Sequence, residues 1–359
     1  MLPVMTRLLA CIAALLVAAP AAAQEASPRG NVAAGLASLA TYSGADREQR
    51  LLAGAKKEGS LLWYTTFPSE YSNELAAPFE KRYGIKVTHW RARSETVLAK
   101  ALAEGRSGAA SADVITLISP QLEALRREGL LQRVQSPYQA DHVAFALPAH
   151  REWVATLSHV FVQAYNTAKV RKDELPRTWQ DLLAPRWKGK LAIESDDHEW
   201  LAAVIADMGE AKGAAFFRQL VATNGLKVHS GHALMTNLVA SGEVPLALTV
   251  YQYSVEQAKK KGSPIDWFVI GPHAVSITNG VTVPKRAAHP YAALLFYDYL
   301  ISPEGQRVFA EIGYVPTSTK VESPLKGVEL KYLDAAKLFE QQETSSRLFE
   351  QLILKGAAR

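Results

Sequence analysis

The sequence has almost no cysteine. Among its 359 residues the one cysteine is Cys11, which lies in an apolar N-terminal segment that we expect to be removed. A mature chain without thiols excludes a cysteine nucleophile, a thiolate metal site and a disulfide. An exported chain without disulfides must be held together by its core, and this chain is long enough to bury one.

Long apolar runs are absent beyond the N-terminus. Residues 1–23 contain one basic residue, an apolar run over residues 8–19 and three alanines before Gln24. This pattern predicts a secretory signal peptide that is cleaved after Ala23 and is too short to span a bilayer. Leu8–Cys11 resembles a lipoprotein box, but the apolar core follows Cys11 and does not precede it, so we do not expect lipidation. We expect a soluble periplasmic protein.

Motifs of common enzymes are missing as well. The chain has no Gly-x-Ser-x-Gly turn, no Walker A loop, no His-Glu-x-x-His and no Gly-x-Gly-x-x-Gly after a predicted strand. None of the nine histidines lies in a recognisable nucleophile context, and we interpret His89 and His159 as ordinary side chains. The net charge of +5 comes without clustered basic and aromatic residues, so nucleic-acid binding is not expected. A binding protein is favoured, and a secreted enzyme is the remote alternative.

Strands and helices alternate along the chain. Predicted strands over residues 61–66, 85–90 and 112–118 are each followed by a helix, and a second α/β block includes strands over residues 190–193 and 246–250. Such alternation predicts parallel βαβ units. Two long extended runs, over residues 153–165 and 274–283, bracket the second block, so the chain crosses to a second lobe and returns.

The predicted fold is therefore α/β with two lobes, each a mainly parallel sheet flanked by helices, joined by crossing hinge strands. We expect the signal peptide over residues 1–23 and a flexible leader over 24–45. The first lobe is predicted over 46–157 together with 277–359, and the second over 158–276.

An acidic loop follows one predicted strand of the second block. Residues 194–199 read Glu-Ser-Asp-Asp-His-Glu and precede an apolar helix. Ser195, Asp196 and Asp197 all suit a helix N-terminus, so capping is one interpretation. So many carboxylates repel one another unless a cation lies close, which makes a cation-contacting loop the other interpretation.

Two tyrosines follow another strand of the same block. Tyr251 and Tyr253 come after Leu246–Val250 and are separated by two, so on an extended backbone they point the same way. Ligands of open α/β sheets bind outside the carboxyl ends of the strands. The phenols either cap the sheet or, with Asp197 and His198, form an oxygen-rich set of ligands for a hard cation.

Three further segments place polar groups at strand ends or helix starts. Thr65 and Thr66 end the first strand, and Ser94 and Glu95 open a helix. Helix capping explains the threonines as well as ligand contact does, and it is the favoured interpretation of Ser94 and Glu95. Asn279, on the returning extended run, either reaches the cleft or forms a β-bulge with Gly280.

A further set of segments is specific only when taken together: Arg93–Gly105 with Ala112–Ile115, Pro185–Lys190, Ser241–Pro245 and Ser302–Gln306. As a set they resemble the periplasmic substrate-binding proteins of ABC importers, in particular the ferric-iron branch. The resemblance covers about residues 59–321. It implies two lobes that close on a ligand by a hinge motion, delivery to a membrane permease with its ATPase, and no chemistry on the ligand. We expect a monomer without a cofactor.

The resemblance also implies how a ferric ion would be held. Iron binders of this family use adjacent tyrosines with a histidine or carboxylate from the first lobe, whereas here Gln252 falls on the first tyrosine position and Tyr253 on the second. The segment Thr66–Pro68 contains no histidine, and the segment Ile118–Pro120 at the end of the third strand contains no glutamate. The acidic loop replaces a small turn that holds an anion in iron binders, and its carboxylates would repel an anion.

The cargo is predicted to be ferric iron or a ferric complex. The alternative is a small organic solute such as a polyamine, sugar phosphate, carboxylate or phosphonate held without metal, with Arg91 or Arg93 engaging an anionic one. The candidate ligand-binding residues are Thr65, Thr66, Ser94, Glu95, Ser119, Ser195, Asp196, Asp197, His198, Tyr251, Gln252, Tyr253 and Asn279, and the candidate metal ligands among them are Tyr251, Tyr253, Asp197 and His198.

Overall fold

A computed structural model describes residues 35–108 and 112–355. The predicted signal peptide and its cleavage site lie outside the described residues. The helices are α1 Arg47–Glu58, α2 Ser69–Tyr83, α3 Ser94–Ser107, α4 Ser119–Arg127, α5 His198–Met208, α6 Glu210–Asn224, α7 His232–Ser241, α8 Gln252–Lys260, α9 Pro290–Ile301, α10 Pro303–Ile312 and α11 Ala335–Phe349. The strands are β1 Ser60–Thr65, β2 Lys86–Arg91, β3 Val114–Ile118, β4 Val154–Asn166, β5 Leu191–Glu194, β6 Lys227–His229, β7 Leu246–Tyr251, β8 Ile265–Phe268, β9 Ala274–Thr282, β10 Val315–Pro316 and β11 Leu330–Tyr332.

The strands form one curled sheet with two parallel ends. Its order is β2-β1-β3-β9-β4-β7-β5-β6. Strands β2, β1 and β3 are parallel, as are β7, β5 and β6. Strands β9 and β4 are antiparallel to each other, β9 is antiparallel to β3, and β4 is antiparallel to β7. The two parallel triplets are the sheets of the two lobes, which confirms the predicted fold class.

Strands β4 and β9 connect the lobes. The first half of β4 pairs with β9 over Val154–Val160, and its second half pairs with β7 over Phe161–Tyr165. The end of β9, from Asn279 to Thr282, also pairs with β3. Both strands are buried throughout, which explains their continuous apolar character. These are the two extended runs of the sequence.

Helix α2 illustrates how the sequence specifies a helix. Its residues Tyr71, Leu75 and Phe79 recur every four positions and are buried against the first-lobe core. The helix ends at Gly84, whose φ of 71° is the left-handed conformation that glycine adopts without a Cβ penalty.

Each lobe has apolar clusters on both faces of its sheet. The first-lobe clusters centre on Trp63 and Phe296 on one face and on Ile115 and Trp153 on the other. The second-lobe clusters centre on Trp200 and Met235 on its two faces. Within residues 35–108 and 112–355, no helix combines the length and apolar character that crossing a bilayer requires.

The described part of the predicted leader contains a short helix. Residues 35–40 are helical, and Leu36 and Ala40 are fully buried in the first-lobe core. The reason is a short apolar stripe at helical spacing that includes Leu39. Arg47 fixes the following turn, because its guanidinium donates a hydrogen bond to the carbonyl of Tyr42 at 2.6 Å.

The last helix packs differently from the expectation that residues 333–354 rejoin the first lobe. Leu338, Phe349 and Ile353 join the core of the second lobe, together with Trp200. The first lobe is contacted as well, by an ion pair between Arg127 of α4 and Glu340 at 2.7 Å and by the Phe339 ring, which lies 4.6 Å from the Arg127 guanidinium. Ala335 also packs against the first-lobe cluster of Ile115 and Trp153. Helix α11 therefore buries most of its apolar side chains in the second lobe and bridges to the first.

Candidate functional site

A cavity of about 240 Å³ lies between the lobes. Its walls come from the carboxyl ends of β1 and β2 in the first lobe and of β5 and β7 in the second, with Tyr314 and β4 between them. This is the position where open α/β sheets bind ligands. The predicted residues that line it are Thr66, Ser94, Glu95, Asp196, Asp197, His198, Tyr251 and Tyr253.

Glu194 is the first residue of the acidic loop and its most buried one. It ends β5 and is 1% exposed. One carboxylate oxygen accepts a hydrogen bond from the backbone N–H of Asp196, and the other accepts one from Gly231, both at 2.6 Å. Gly231 has a φ of 104°, a conformation that side chains rarely adopt, and this conformation presents its N–H to Glu194.

The electrostatics of this loop favour positive charge beside its carboxylates. Burial raises the pKa of Glu194 to about 7, and the neighbouring carboxylate of Asp197 adds to the rise. Burial lowers the pKa of His232, but the carboxylates of Asp197 and Glu194 outweigh it and raise that pKa overall. Two buried carboxylates that repel each other are stabilised by positive charge placed between them.

Glu194, Asp197 and His232 form a compact group. One donor atom from each lies within 4.8 Å of the others. His232 Nε2 lies 3.2 Å from Asp197 Oδ1. In the described part of the chain, the buried Asp197 Oδ2 and His232 Nδ1 have no hydrogen-bond partner. The arrangement can bind a hard or borderline metal ion through two carboxylates and an imidazole.

Tyr251 covers this group with its ring. The rings of Tyr251 and His232 stack with centroids 3.7 Å apart, and His159 of β4 stacks on Tyr251 at 4.5 Å. Burial lowers the pKa of His159 to about 3, so this imidazole is neutral. Burial raises the pKa of the Tyr251 phenol well above its usual value.

Tyr253 faces the first lobe. Helix α8 begins at Gln252, so the backbone is not extended across the tyrosines, yet the rings of Tyr251 and Tyr253 remain stacked at 6.0 Å. The Tyr253 ring packs on Tyr314 at 4.2 Å and edge-on to Tyr71 at 6.3 Å.

The first-lobe wall carries positive charge. Arg91 and Arg93 line the cavity with Ser94 and Glu95. Arg93 forms an ion pair with Asp196 across the cleft and donates a hydrogen bond to Ser230 Oγ at 3.1 Å. The cavity is therefore acidic on its second-lobe side and largely basic on the other.

Some predicted residues lie behind the cavity wall. Thr65 is buried and bonds with Thr116 at 2.9 Å, and Ser119 and Gln252 are buried as well. Asn279 is buried, with its amide 3.5 Å from Thr66 Oγ1. The hydroxyl of Ser195 points at its neighbours, 3.2 Å from Asp196.

His198 lines the cavity but pairs within its own helix. Its Nε2 lies 3.2 Å from a carboxylate oxygen of Glu199. Burial lowers the pKa of His198, and Glu199 more than offsets this, so that the pKa is raised. The compact acidic group contains His232 in its place.

Sequence reasoning did not select Glu194, His232, His159 or Tyr314. Glu194 lies in the acidic loop, and its position directly after the predicted strand over residues 190–193 was the signal that could have marked it. His232, His159 and Tyr314 lie 38, 35 and 120 positions from Glu194, on α7, on β4 and before β10. No local motif could have connected them.

The comparisons with known proteins agree with this architecture. The profile of the family described as "Bacterial extracellular solute-binding protein" matches residues 74–331. The iron uptake protein A1 of Synechocystis sp. is 26% identical over 258 residues, which is 67% of this chain and 71% of that protein. The Fe(3+)-binding periplasmic protein of Serratia marcescens is 23% identical over 275 residues, covering 72% and 81%.

The same fold is found in a solved structure. The crystal structure of iron-bound HitA from Pseudomonas aeruginosa superposes with a TM-score of 0.71 at 23% identity, over 82% of this chain and 99% of that one. At this identity the similarity shows the fold. The two-lobed architecture is thus common to both chains.

Proposed function

Because the chain belongs to the bacterial extracellular solute-binding protein family, we propose that it is the periplasmic binding component of an ABC importer that carries ferric iron, as the ion or as a chelate. A permease and its ATPase in the inner membrane are the proposed partners, and the protein acts as a monomer. Strands β4 and β9 are the hinge on which the lobes close. No chemistry on the cargo is proposed.

One observation carries the choice of cargo. The buried Glu194 and Asp197, with His232 and the phenol-bearing Tyr251 beside them, place hard donors at the floor of the cleft. Fe³⁺ is a hard ion that prefers oxygen donors, and its charge offsets the repulsion between the carboxylates. Relatives of this chain that are named for iron uptake and Fe(3+) binding support the same cargo.

Ferric titration of the purified apo protein tests this proposal. Ferric nitrilotriacetate is added, and the visible spectrum is followed for a phenolate-to-iron charge-transfer band. We expect a band that is lost or shifted in Tyr251→Phe or Tyr253→Phe, whereas Tyr332→Phe, at an exposed tyrosine on β11, keeps it. Failure of the wild type to take iron from the chelate would refute the ferric cargo.

A polyamine is the second candidate, because the same cavity combines carboxylates with aromatic walls. Phe161, Tyr251, Tyr253 and Tyr314 line it beside the acidic loop, and ammonium groups bind between carboxylates and aromatic faces. Calorimetric titration with spermidine distinguishes the two. Micromolar spermidine binding that ferric nitrilotriacetate does not compete with would favour the amine.

A further inference from the structure

We infer that the metal-binding centre of this chain is built by the second lobe alone, from Glu194, Asp197 and His232, so that the ion is captured before the lobes close. This inference rests on the proposed function in one respect, that the cargo contains a metal ion. It assigns Glu194, Asp197 and His232 as the ligands that capture the ion, with His232 in place of the His198 that the sequence indicated. The phenols of Tyr251 and Tyr253, whose charge-transfer band tests the proposed function, join the ion after this capture.

The three residues come from neighbouring elements of one sheet. Glu194 ends β5, Asp197 precedes α5, and His232 begins α7 after β6. Because β5 and β6 are parallel neighbours, their carboxyl ends meet at one edge. One donor atom from each residue lies within 4.8 Å of the other two without any contribution from the first lobe.

The orphaned donors of this group point to a ligand. Asp197 is 3% exposed, and its Oδ2 has no hydrogen-bond partner in the described part of the chain. His232 Nδ1 is buried and unpartnered in the same way. Buried polar atoms are normally paired, so the unpartnered Asp197 Oδ2 leaves one carboxylate oxygen available to an ion at this group.

The group is also preorganised. Two backbone N–H groups fix the carboxylate of Glu194, and the Tyr251 ring stacked at 3.7 Å fixes the plane of the His232 imidazole. Partners that orient metal ligands in this way are a regular part of metal sites. None of these contacts changes when the lobes separate, because all of them lie within the second lobe.

The first lobe offers mainly non-ligating groups to the same space. Arg93, the side chain that reaches the acidic loop from the first lobe, is a cation and pairs with Asp196. Glu95 is a first-lobe carboxylate in the cavity, and its side chain is 64% exposed. The first lobe therefore closes over the ion and its other ligands, and the second lobe binds the ion.

Equilibrium metal binding to variants of the full-length protein tests the assignment. Affinity is measured for ferric ion by competition with nitrilotriacetate, and for Mn²⁺ by its electron paramagnetic resonance signal. We expect Glu194→Gln, Asp197→Asn and His232→Gln each to weaken both affinities by roughly 10- to 100-fold or more. Glu210→Gln, an exposed carboxylate at the start of α6, is the matched control and should leave both unchanged. Thermal melts establish that each variant is folded.

The outcomes separate this inference from the proposed function. Iron binding that survives all three substitutions but is lost in Tyr253→Phe or Glu95→Gln would overturn the one-lobe centre and leave the ferric cargo standing. Mn²⁺ binding that depends on the three residues, without ferric binding by the wild type, would overturn the ferric cargo and keep the centre. Binding of neither metal would overturn the centre as well.

Discussion

Arg93 and Asp196 form an ion pair across the cleft, from the residue before α3 in the first lobe to the acidic loop of the second. Both side chains are about half exposed. The pair connects the lobes beside Asp197, so it contributes to closure and not to ion binding itself.

Arg93→Ala should therefore shift the protein toward the open form. Exposed ion pairs contribute about 0.2–1 kcal/mol, so we expect no more than about a fivefold loss of ligand affinity. Small-angle X-ray scattering of the liganded protein should give a larger radius of gyration than the wild type. Arg218→Ala, an exposed arginine on α6, is the control, and an unchanged radius for Arg93→Ala would contradict the prediction.

Gly231→Ala should weaken both stability and binding. An added Cβ at Gly231 meets nothing within 4 Å, so the cost comes from its φ of 104° and amounts to about 1–2 kcal/mol. Relaxation of this strain moves the N–H away from Glu194, which loosens the carboxylate. Thermal melts and ferric titration measure the two effects.

Gly35→Ala provides the comparison for Gly231→Ala. Its added Cβ also meets open space, but Gly35 lies in a helical turn without a positive φ. We expect a change within about 0.5 kcal/mol. Equal melting temperatures for the two alanine variants would show that the conformation of Gly231 is not strained.

The buried pair of Arg47 and Asp298 should be far more sensitive to substitution. Their atoms lie 2.8 Å apart, and both side chains are less than a tenth exposed. Arg47→Met leaves the carboxylate buried without its partner, which should lower the free energy of unfolding by about 3–5 kcal/mol in urea titrations. Adding Asp298→Leu should recover part of the loss. Arg50→Met, which breaks the exposed pair with Asp46, should cost less than about 1 kcal/mol.

His142 should make stability fall in acid. Burial lowers the pKa of His142, whose Nε2 lies 2.8 Å from the carbonyl oxygen of Ile301. Below its unfolded pKa of about 6.5 the unfolded chain binds more protons than the folded one, so the stability present above that pH is lost as pH falls.

The slope contributed by His142 is at most about 1.4 kcal/mol per pH unit. Urea unfolding of the apo protein at pH 7.5 and pH 5.0 measures it. His142→Gln should be less stable at pH 7.5 but lose less stability on acidification than the wild type. The same loss in both proteins would show that His142 does not titrate on unfolding.

The sequence specified the two lobes well. The apolar spacing of Tyr71, Leu75 and Phe79 and the continuous apolar runs of β4 and β9 are local patterns, and each predicted its element. Local patterns were less informative over residues 35–40, where the apolar stripe spans only a few residues. Leu36 and Ala40 lie in a segment rich in small residues, so their burial depended on a core that only the folded chain provides.

The candidate site was only partly visible. The acidic loop and Tyr251 could be located because a strand end is recognisable from its sequence. The sequence did not show which loop residue faces inward, because that depends on where Gly231 and Asp197 contact Glu194. His198 and His232 were equivalent as imidazoles, and tertiary packing placed one beside Glu199 and the other in the compact group.

The sequence by itself determined that this chain is a cysteine-poor α/β protein with two lobes and polar strand ends, because periodicity and composition act over a few residues. The tertiary structure alone decided which polar groups share a buried space. Glu194 and His232 are 38 positions apart, and the position of the acidic group depends on the pairing of β5 with β6 and β7. Burial and mutual repulsion of the carboxylates in that group are properties of the space between residues and not of any residue alone.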